Sequence, residues 1–171
     1  MTPEAARVLV IGLGNDQRGD DRAGLVVARR LHRAASEAGI DLREHQGEPT
    51  ELLDDWRGRE AVVLVDAMCS GMEAGTIRRF DATDRPLPLH SGRPASTHAL
   101  GLEAAIELGR ALQRLPARAI VYAVEGRAFE PGSLLSEEVD AAIPALAEAV
   151  FREARRLGAS PTAPPHRAKT V

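Results

Sequence analysis

An apolar run of strand length at the start of this chain leads into a glycine-rich turn and then into two adjacent carboxylates. The run covers residues 8–11, the turn contains Gly12 and Gly14, and Asp20 and Asp21 precede an amphipathic segment. This order predicts a strand, a loop and a helix. Ligands of open α/β sheets bind outside the carboxyl ends of the strands, so the loop is predicted to bring Asp20 and Asp21 to a site.

The glycine-rich turn matches neither of the common nucleotide-binding loops. The dinucleotide fingerprint requires a third glycine where this chain has Gln17, and the next glycine is Gly19. A phosphate-binding loop ends in Gly-Lys-Ser/Thr, whereas Gly19 here precedes Asp20, and the two carboxylates would repel a polyphosphate. The sequence therefore argues against nucleotide binding.

The composition is that of a globular protein of one domain. The chain has 171 residues, of which 44% are hydrophobic, and its formal net charge is -3. It has no apolar run near the ~20 residues that span a bilayer and no long basic run, and its first residues, with Glu4, do not resemble a signal peptide. Cys69 is the only cysteine, which excludes an internal disulfide and a thiolate zinc cluster. We expect a cytoplasmic monomer with no nucleic-acid or membrane partner.

Segments with helical spacing of apolar residues alternate with short apolar runs along the chain. Strands are predicted over residues 41–45, 61–65, 76–80 and 118–124, and Asp66 is predicted to end the strand at 61–65. Four helices are predicted. The first has about four turns and ends near Gly39, and the second is short and contains Leu52, Leu53 and Trp56. The third runs from residue 96 or 97 to about 112, and the last begins after residues 136–138 and ends at Gly158. The pattern predicts a single α/β domain over residues 1–158 and a disordered tail over 159–171.

Three side chains with metal-binding chemistry are predicted to face one cleft. Asp21 follows the first strand, Asp66 ends the buried strand, and His98 begins a helix. A carboxylate at the end of a buried run needs a cation or a hydrogen-bonding partner. The positive end of a helix dipole favours a neutral imidazole, which can bind metal. Two carboxylates and one imidazole would form a divalent-metal site with open positions, suited to nickel or zinc.

Each of these residues also has a purely structural interpretation. Asp66 could cap a turn, Asp21 could stabilise the helix that follows it, and His98 could be satisfied by solvent. Cys69 lies just beyond the buried strand, but no Cys-His-Asn pattern supports a nucleophile, and buried filler is the simpler interpretation. The other histidines are interpreted as solvated side chains without a role in the site: His32, His45, His90 and His166.

Several blocks together resemble the hydrogenase maturation endopeptidase family. They are residues 8–21 with Gly24, then Val-Leu-Val-Asp-Ala at 63–67, Ser-Thr-His-Ala-Leu-Gly-Leu at 96–102, and the closing stretch at 126–134. The resemblance spans about residues 8–157. One block alone would be a weak signal, whereas the set in this order and spacing is specific.

The resemblance implies a single three-layer α/β domain, with a twisted, mostly parallel sheet between helices. It also implies an endopeptidase that removes a C-terminal extension from the large-subunit precursor of a nickel-iron hydrogenase after nickel insertion. The family's metal-contacting and catalytic positions fall on Asp21, Asp66 and His98. The resemblance further implies that these groups recognise nickel held by the substrate, so that no permanent cofactor is expected. It does not settle which group activates water.

The chain departs from the family pattern in two places. Arg22 follows Asp21 where relatives often have glycine, and its side chain could pair with a substrate carboxylate or, as we expect, point to solvent. The loop at residues 46–50 differs from the Gly-Gly-Thr loop of several relatives. This loop could help the protein to select one hydrogenase precursor, or the difference could be neutral drift of a surface turn. The sequence also lacks a His-Glu-x-x-His helix and a Gly-x-Ser-x-Gly elbow. A non-proteolytic nickel-binding checkpoint or chaperone is therefore the alternative function.

Overall fold

The structure, a computed structural model, describes residues 7–87 and 97–159. Five strands form one sheet in the order β2-β1-β3-β5-β4. Neighbouring strands are parallel except for β4, which runs antiparallel to β5. The elements in chain order are β1 (Val8–Leu13), a 3-10 turn (Gly19–Arg22), α1 (Ala23–Glu37), β2 (Asp41–His45), α2 (Pro49–Asp55), β3 (Ala61–Met68), β4 (Ile77–Asp81), α3 (Thr97–Ala111), β5 (Arg118–Glu125) and α4 (Glu137–Ala159).

Helices cover both faces of the sheet. Because side chains alternate along a strand, Val8 and Val10 of β1 pack into a core with α1 and α4. Leu9 and Ile11 pack into a second core with α2 and α3. Every residue of β1 and β3 is buried, as their uninterrupted apolar runs predict for strands covered on both sides. The predicted α/β class and mostly parallel sheet are confirmed.

The start of α1 lies directly against the carboxyl ends of β1 and β3. A Cβ atom at Gly24 would lie only 2.3 Å from the carbonyl oxygens of both Leu13 and Val65. Glycine at this position therefore permits a backbone approach that no other residue allows. The close approach brings the preceding turn, Gly19–Arg22, to the carboxyl ends of β1 and β3.

The predicted elements are all found in the described residues. Strand 41–45 has the predicted ends, and the ends of the other elements are shifted by a few residues. The prediction that Asp66 ends its strand is wrong, because β3 continues to Met68 beside β5, where Asp66 pairs with Ala123. Trp56 follows α2 instead of lying within it. Ala159 belongs to α4, and the rest of the predicted tail, 160–171, lies outside the described residues. None of the helices within 7–87 and 97–159 is long and apolar enough to cross a membrane.

Candidate active site

Asp21 lies in the turn between β1 and α1 and is completely buried. Its backbone N–H donates to the carbonyl oxygen of Arg18 at 3.0 Å, which closes the 3-10 turn. The turn contacts β3 as well as α1. Asp21 is therefore held at the carboxyl edge of the sheet, where the sequence predicted it.

Asp20, the neighbour of Asp21, is used to hold the fold together. Its buried carboxylate accepts hydrogen bonds from the backbone N–H groups of Arg127, Ala128 and Ser136 at 2.7–2.9 Å and from the Ser136 hydroxyl at 2.9 Å. These bonds fix the β5–α4 connection against the β1–α1 turn. The sequence placed Asp20 at the site together with Asp21 but did not indicate this structural role.

Asp66 lies within β3 and is only 3% exposed. By strand alternation it shares a face with Leu64 and Met68, which pack in the core on the α2 and α3 side. Its Oδ1 accepts a hydrogen bond from the adjacent Ala67 N–H at 2.8 Å. Burial, and secondly the negative charge of Asp21, raise the pKa of Asp66 to about 8. A divalent cation at this position would offset both effects and restore the ionised form.

His98 is the second residue of α3, as predicted for the start of that helix. Its side chain lies outside the described residues, so the meeting of all three predicted site residues stays a prediction. Among the side chains that are described, no three His, Cys, Asp or Glu are grouped to hold a metal ion. The structure brings together Asp21 and Asp66, and it places the backbone of His98 in the first turn of α3.

Arg22 does not point to solvent, so that expectation is wrong. Its side chain is partly buried, and Nη2 donates to the carbonyl oxygen of Ser133 at 3.4 Å. The guanidinium also helps to lower the pKa of Asp16, although Arg29 is the main cause. Arg22 therefore links the turn that carries Asp21 to the β5–α4 connection.

The interpretation of Cys69 as buried filler is also wrong, because Cys69 is exposed. It precedes a turn that Glu125 holds: the buried Glu125 carboxylate accepts hydrogen bonds from the N–H groups of Ser70 and Gly71 and from the Ser70 hydroxyl at 2.7–2.9 Å. Partial burial, and secondly the charge of Glu125, raise the pKa of the Cys69 thiol. A raised thiol pKa is opposite to what a cysteine nucleophile requires.

His45 differs most from its sequence interpretation, since its side chain is 8% exposed and is not solvated. Its Nδ1 accepts a hydrogen bond from the Gly47 N–H at 2.8 Å. Its Nε2 lies 3.3 Å from a carboxylate oxygen of Glu51 in α2. The only sequence signals for this role are the position of His45 at a strand end and a glycine two residues later.

A cleft of about 710 Å³ lies between the β1–α1 turn and the β2–α2 loop. Arg29 lines the cleft, and its Nη2 lies 2.7 Å from Oδ2 of Asp16 and 2.6 Å from Oε2 of Glu44. Further carboxylates from Glu48 and Glu51 line the same cleft. The cleft therefore lies beside the edge strand β2, and most of its charged side chains are acidic.

Comparison with known proteins identifies the family. The family model described as hydrogenase maturation protease matches residues 26–153. The chain is 25% identical over 166 residues to the hydrogenase expression/formation protein HupD of Rhizobium leguminosarum bv. viciae, which covers 95% of this chain and 81% of that protein.

Two solved structures have the same fold. The hydrogenase maturating endopeptidase HybD from E. coli superposes with a TM-score of 0.75 at 24% identity, over 88% of this chain and 93% of that one. The [NiFe] hydrogenase maturation protease HybD from Thermococcus kodakarensis gives 0.71 at 28% identity, over 86% and 99%. This chain belongs to the hydrogenase maturation protease family and is a hydrolase of the endopeptidase type.

Proposed function

We propose that this protein removes the C-terminal extension of a nickel-iron hydrogenase large-subunit precursor and that it recognises nickel already held by that precursor. In this proposal Asp21, Asp66 and His98 contact the substrate's nickel, and the enzyme needs no resident metal. The observation that carries the proposal is the buried pair of carboxylates, in which Asp21 helps to raise the pKa of Asp66 to about 8.

The carboxylate pair supports nickel recognition through its electrostatics. Two buried carboxylates repel each other, and burial alone disfavours their charge. A divalent cation bound between them removes both penalties. A precursor that carries nickel therefore gains a binding energy that an empty precursor lacks, which would make metal insertion a condition for processing.

The composition of the donor set supports nickel held by the substrate instead of by the enzyme. Two carboxylates and one imidazole provide three donors without a thiolate, too few to enclose a nickel ion. They are enough to complete the coordination of an ion that substrate cysteines already bind. Carboxylates beside the bound precursor are also groups that can accept a proton from an attacking water.

Intact-mass analysis of the precursor tests this function. Chelator-treated enzyme, with the chelator removed, is incubated with nickel-loaded and with nickel-free precursor. We expect a C-terminal mass loss only for the loaded form. Asp16→Asn is a matched control. Asp16 is a half-exposed carboxylate that pairs with Arg29 and lies, like Asp21, in the connection between β1 and α1. This variant should process the loaded precursor normally.

Three other outcomes contradict parts of the proposal. Equal cleavage of both forms would exclude nickel as the trigger. A stable complex of unchanged mass would identify a non-proteolytic checkpoint. Activity that returns only after metal is added back to the stripped enzyme would identify a conventional metalloprotease with its own metal.

A further inference from the structure

His45 connects two loops that border the candidate site. Its backbone carbonyl accepts a hydrogen bond from the Gly14 N–H at 3.1 Å, in the connection that leads from β1 to Asp21. Its side-chain Nδ1 accepts a hydrogen bond from the Gly47 N–H at 2.8 Å, in the β2–α2 loop. His45 therefore fixes both loops relative to the end of β2, one through its backbone and the other through its buried side chain.

The β2–α2 loop in turn contacts α3 at Gly101, the fifth residue of the helix. A Cβ atom at Gly101 would lie 2.1 Å from the carbonyl oxygen of Gly47, far inside van der Waals contact. Gly47 has a φ of 85°, a conformation that favours glycine. The loop carbonyl is therefore seated against α3 at a position three residues after His98.

We infer that His45, Gly47 and Gly101 form a lock that sets where the first turn of α3, and with it His98, lies relative to the carboxyl ends of β1 and β3. The lock rests on the proposed function only in that His98 is taken to contact the substrate's nickel. His45 and Gly101 are then positioning residues. Metal sites need this support, because their donors must be held within about half an ångström of the productive geometry.

The imidazole of His45 permits a matched pair of substitutions. The Oδ1 of His45→Asn can occupy the position of Nδ1 and keep an acceptor for the Gly47 N–H. His45→Gln places its polar atoms near the position of Nε2, beside Glu51, and leaves the Gly47 N–H without its acceptor. We expect His45→Asn to process nickel-loaded precursor at close to the wild-type rate. His45→Gln should lose about tenfold or more in kcat/KM, as is typical for groups that orient metal ligands.

A second matched pair tests the helix side of the lock. Gly101→Ala and Gly109→Ala both replace a glycine within α3, and each raises intrinsic helix stability by about 1 kcal/mol. A Cβ at Gly109 meets its nearest atom, in the Trp56 ring, at 3.4 Å, whereas a Cβ at Gly101 collides with Gly47. Processing should therefore fall about tenfold or more in Gly101→Ala and stay unchanged in Gly109→Ala.

Backbone amide NMR of the ligand-free variants separates the lock from the proposed function. The amide signals of residues 97–101 should shift in His45→Gln and Gly101→Ala but stay in place in His45→Asn and Gly109→Ala, at similar melting temperatures. Unshifted signals in the first two variants, or wild-type processing by them, would overturn the lock. If the wild-type protein processes no precursor at all, the proposed function fails, and the amide signals still decide whether the lock exists. If Gly101→Ala does not fold, the His45 pair decides alone.

Discussion

Asp21 and Asp66 come from different elements, and the charge of Asp21 contributes to the raised pKa of Asp66. The other buried carboxylates of the described residues show how unusual this is. Asp20 accepts four hydrogen bonds, and Glu125 accepts three. Glu153 is paired with Arg79 and Arg156. From the part of the chain that the structure describes, Asp66 accepts one hydrogen bond, from the N–H of its neighbour Ala67. A fold that satisfies Asp20 and Glu125 so fully leaves Asp66 suited to a ligand that brings positive charge.

We expect Asp66→Asn to abolish processing and also to stabilise the ligand-free protein. The folded-state pKa of about 8 lies above the unfolded value, so the native state binds more protons between about pH 4 and pH 8. Wild-type stability should therefore fall as the pH rises through this window. Asp66→Asn removes that decline, with a gain of about 1–3 kcal/mol near pH 8.

Thermal unfolding between about pH 5 and pH 8.5, together with the precursor assay, checks this prediction. Asp66→Ala should lose processing as well, with the fold retained. Processing by Asp66→Asn at the wild-type rate would show that the charge of Asp66 has no role at the site.

Asp20→Asn should have the opposite effect on stability. Asn offers a single acceptor oxygen to four donors, and its NH₂ group would face backbone N–H groups. We expect a loss of about 2–4 kcal/mol in the free energy of unfolding, since each bond to a charged group contributes about 1.5–3 kcal/mol. Urea denaturation measures the change. As a control, Asp16→Asn replaces a half-exposed carboxylate in the same β1–α1 connection and should change the free energy of unfolding by less than about 0.5 kcal/mol.

Glu153 should determine part of the acid stability of the protein. Arg79 and Arg156 hold the pKa of this carboxyl down to about 2 against the opposing effect of burial, and the Tyr122 hydroxyl donates to it at 3.1 Å. A lowered folded-state pKa adds stability above the unfolded value, which is lost as the pH falls from about 4.5 towards 2.

Glu153→Gln should therefore lower the free energy of unfolding by about 2 kcal/mol at neutral pH and flatten its decline in acid. Urea midpoints at a series of pH values measure both effects. An equally steep acid decline in the variant would show that other carboxyl groups dominate it.

The sequence predicts this fold well where local pattern and burial agree. The runs in β1 and β3 are apolar because both faces of these strands are covered. Asp66 was predicted as a site residue because it follows such a run, and Asp21 because it follows the glycine-rich turn after β1. The end of β3 was misplaced because β5 continues beside it, and this pairing is not visible in β3 alone.

The roles of Asp20 and Glu125 depend on partners far away in sequence. Asp20 bonds to Ser136 across 116 positions, and Glu125 bonds to Ser70 across 55. His45 contacts Gly47 locally, but its link to α3 passes through Gly101, more than fifty positions later. Such long-range contacts follow from the tertiary structure, which a single sequence does not display.

Cys69 gives the last prediction, because it is the only cysteine and its thiol is accessible. A raised pKa keeps the thiol protonated at neutral pH, so Cys69→Ala should process precursor at the wild-type rate. Glu125 is the second cause of the raised pKa, after burial. Glu125→Gln should therefore lower the pKa of the Cys69 thiol and speed its alkylation by iodoacetamide near pH 8. Mass spectrometry follows the single adduct. Loss of processing in Cys69→Ala would show that this thiol takes part in the reaction.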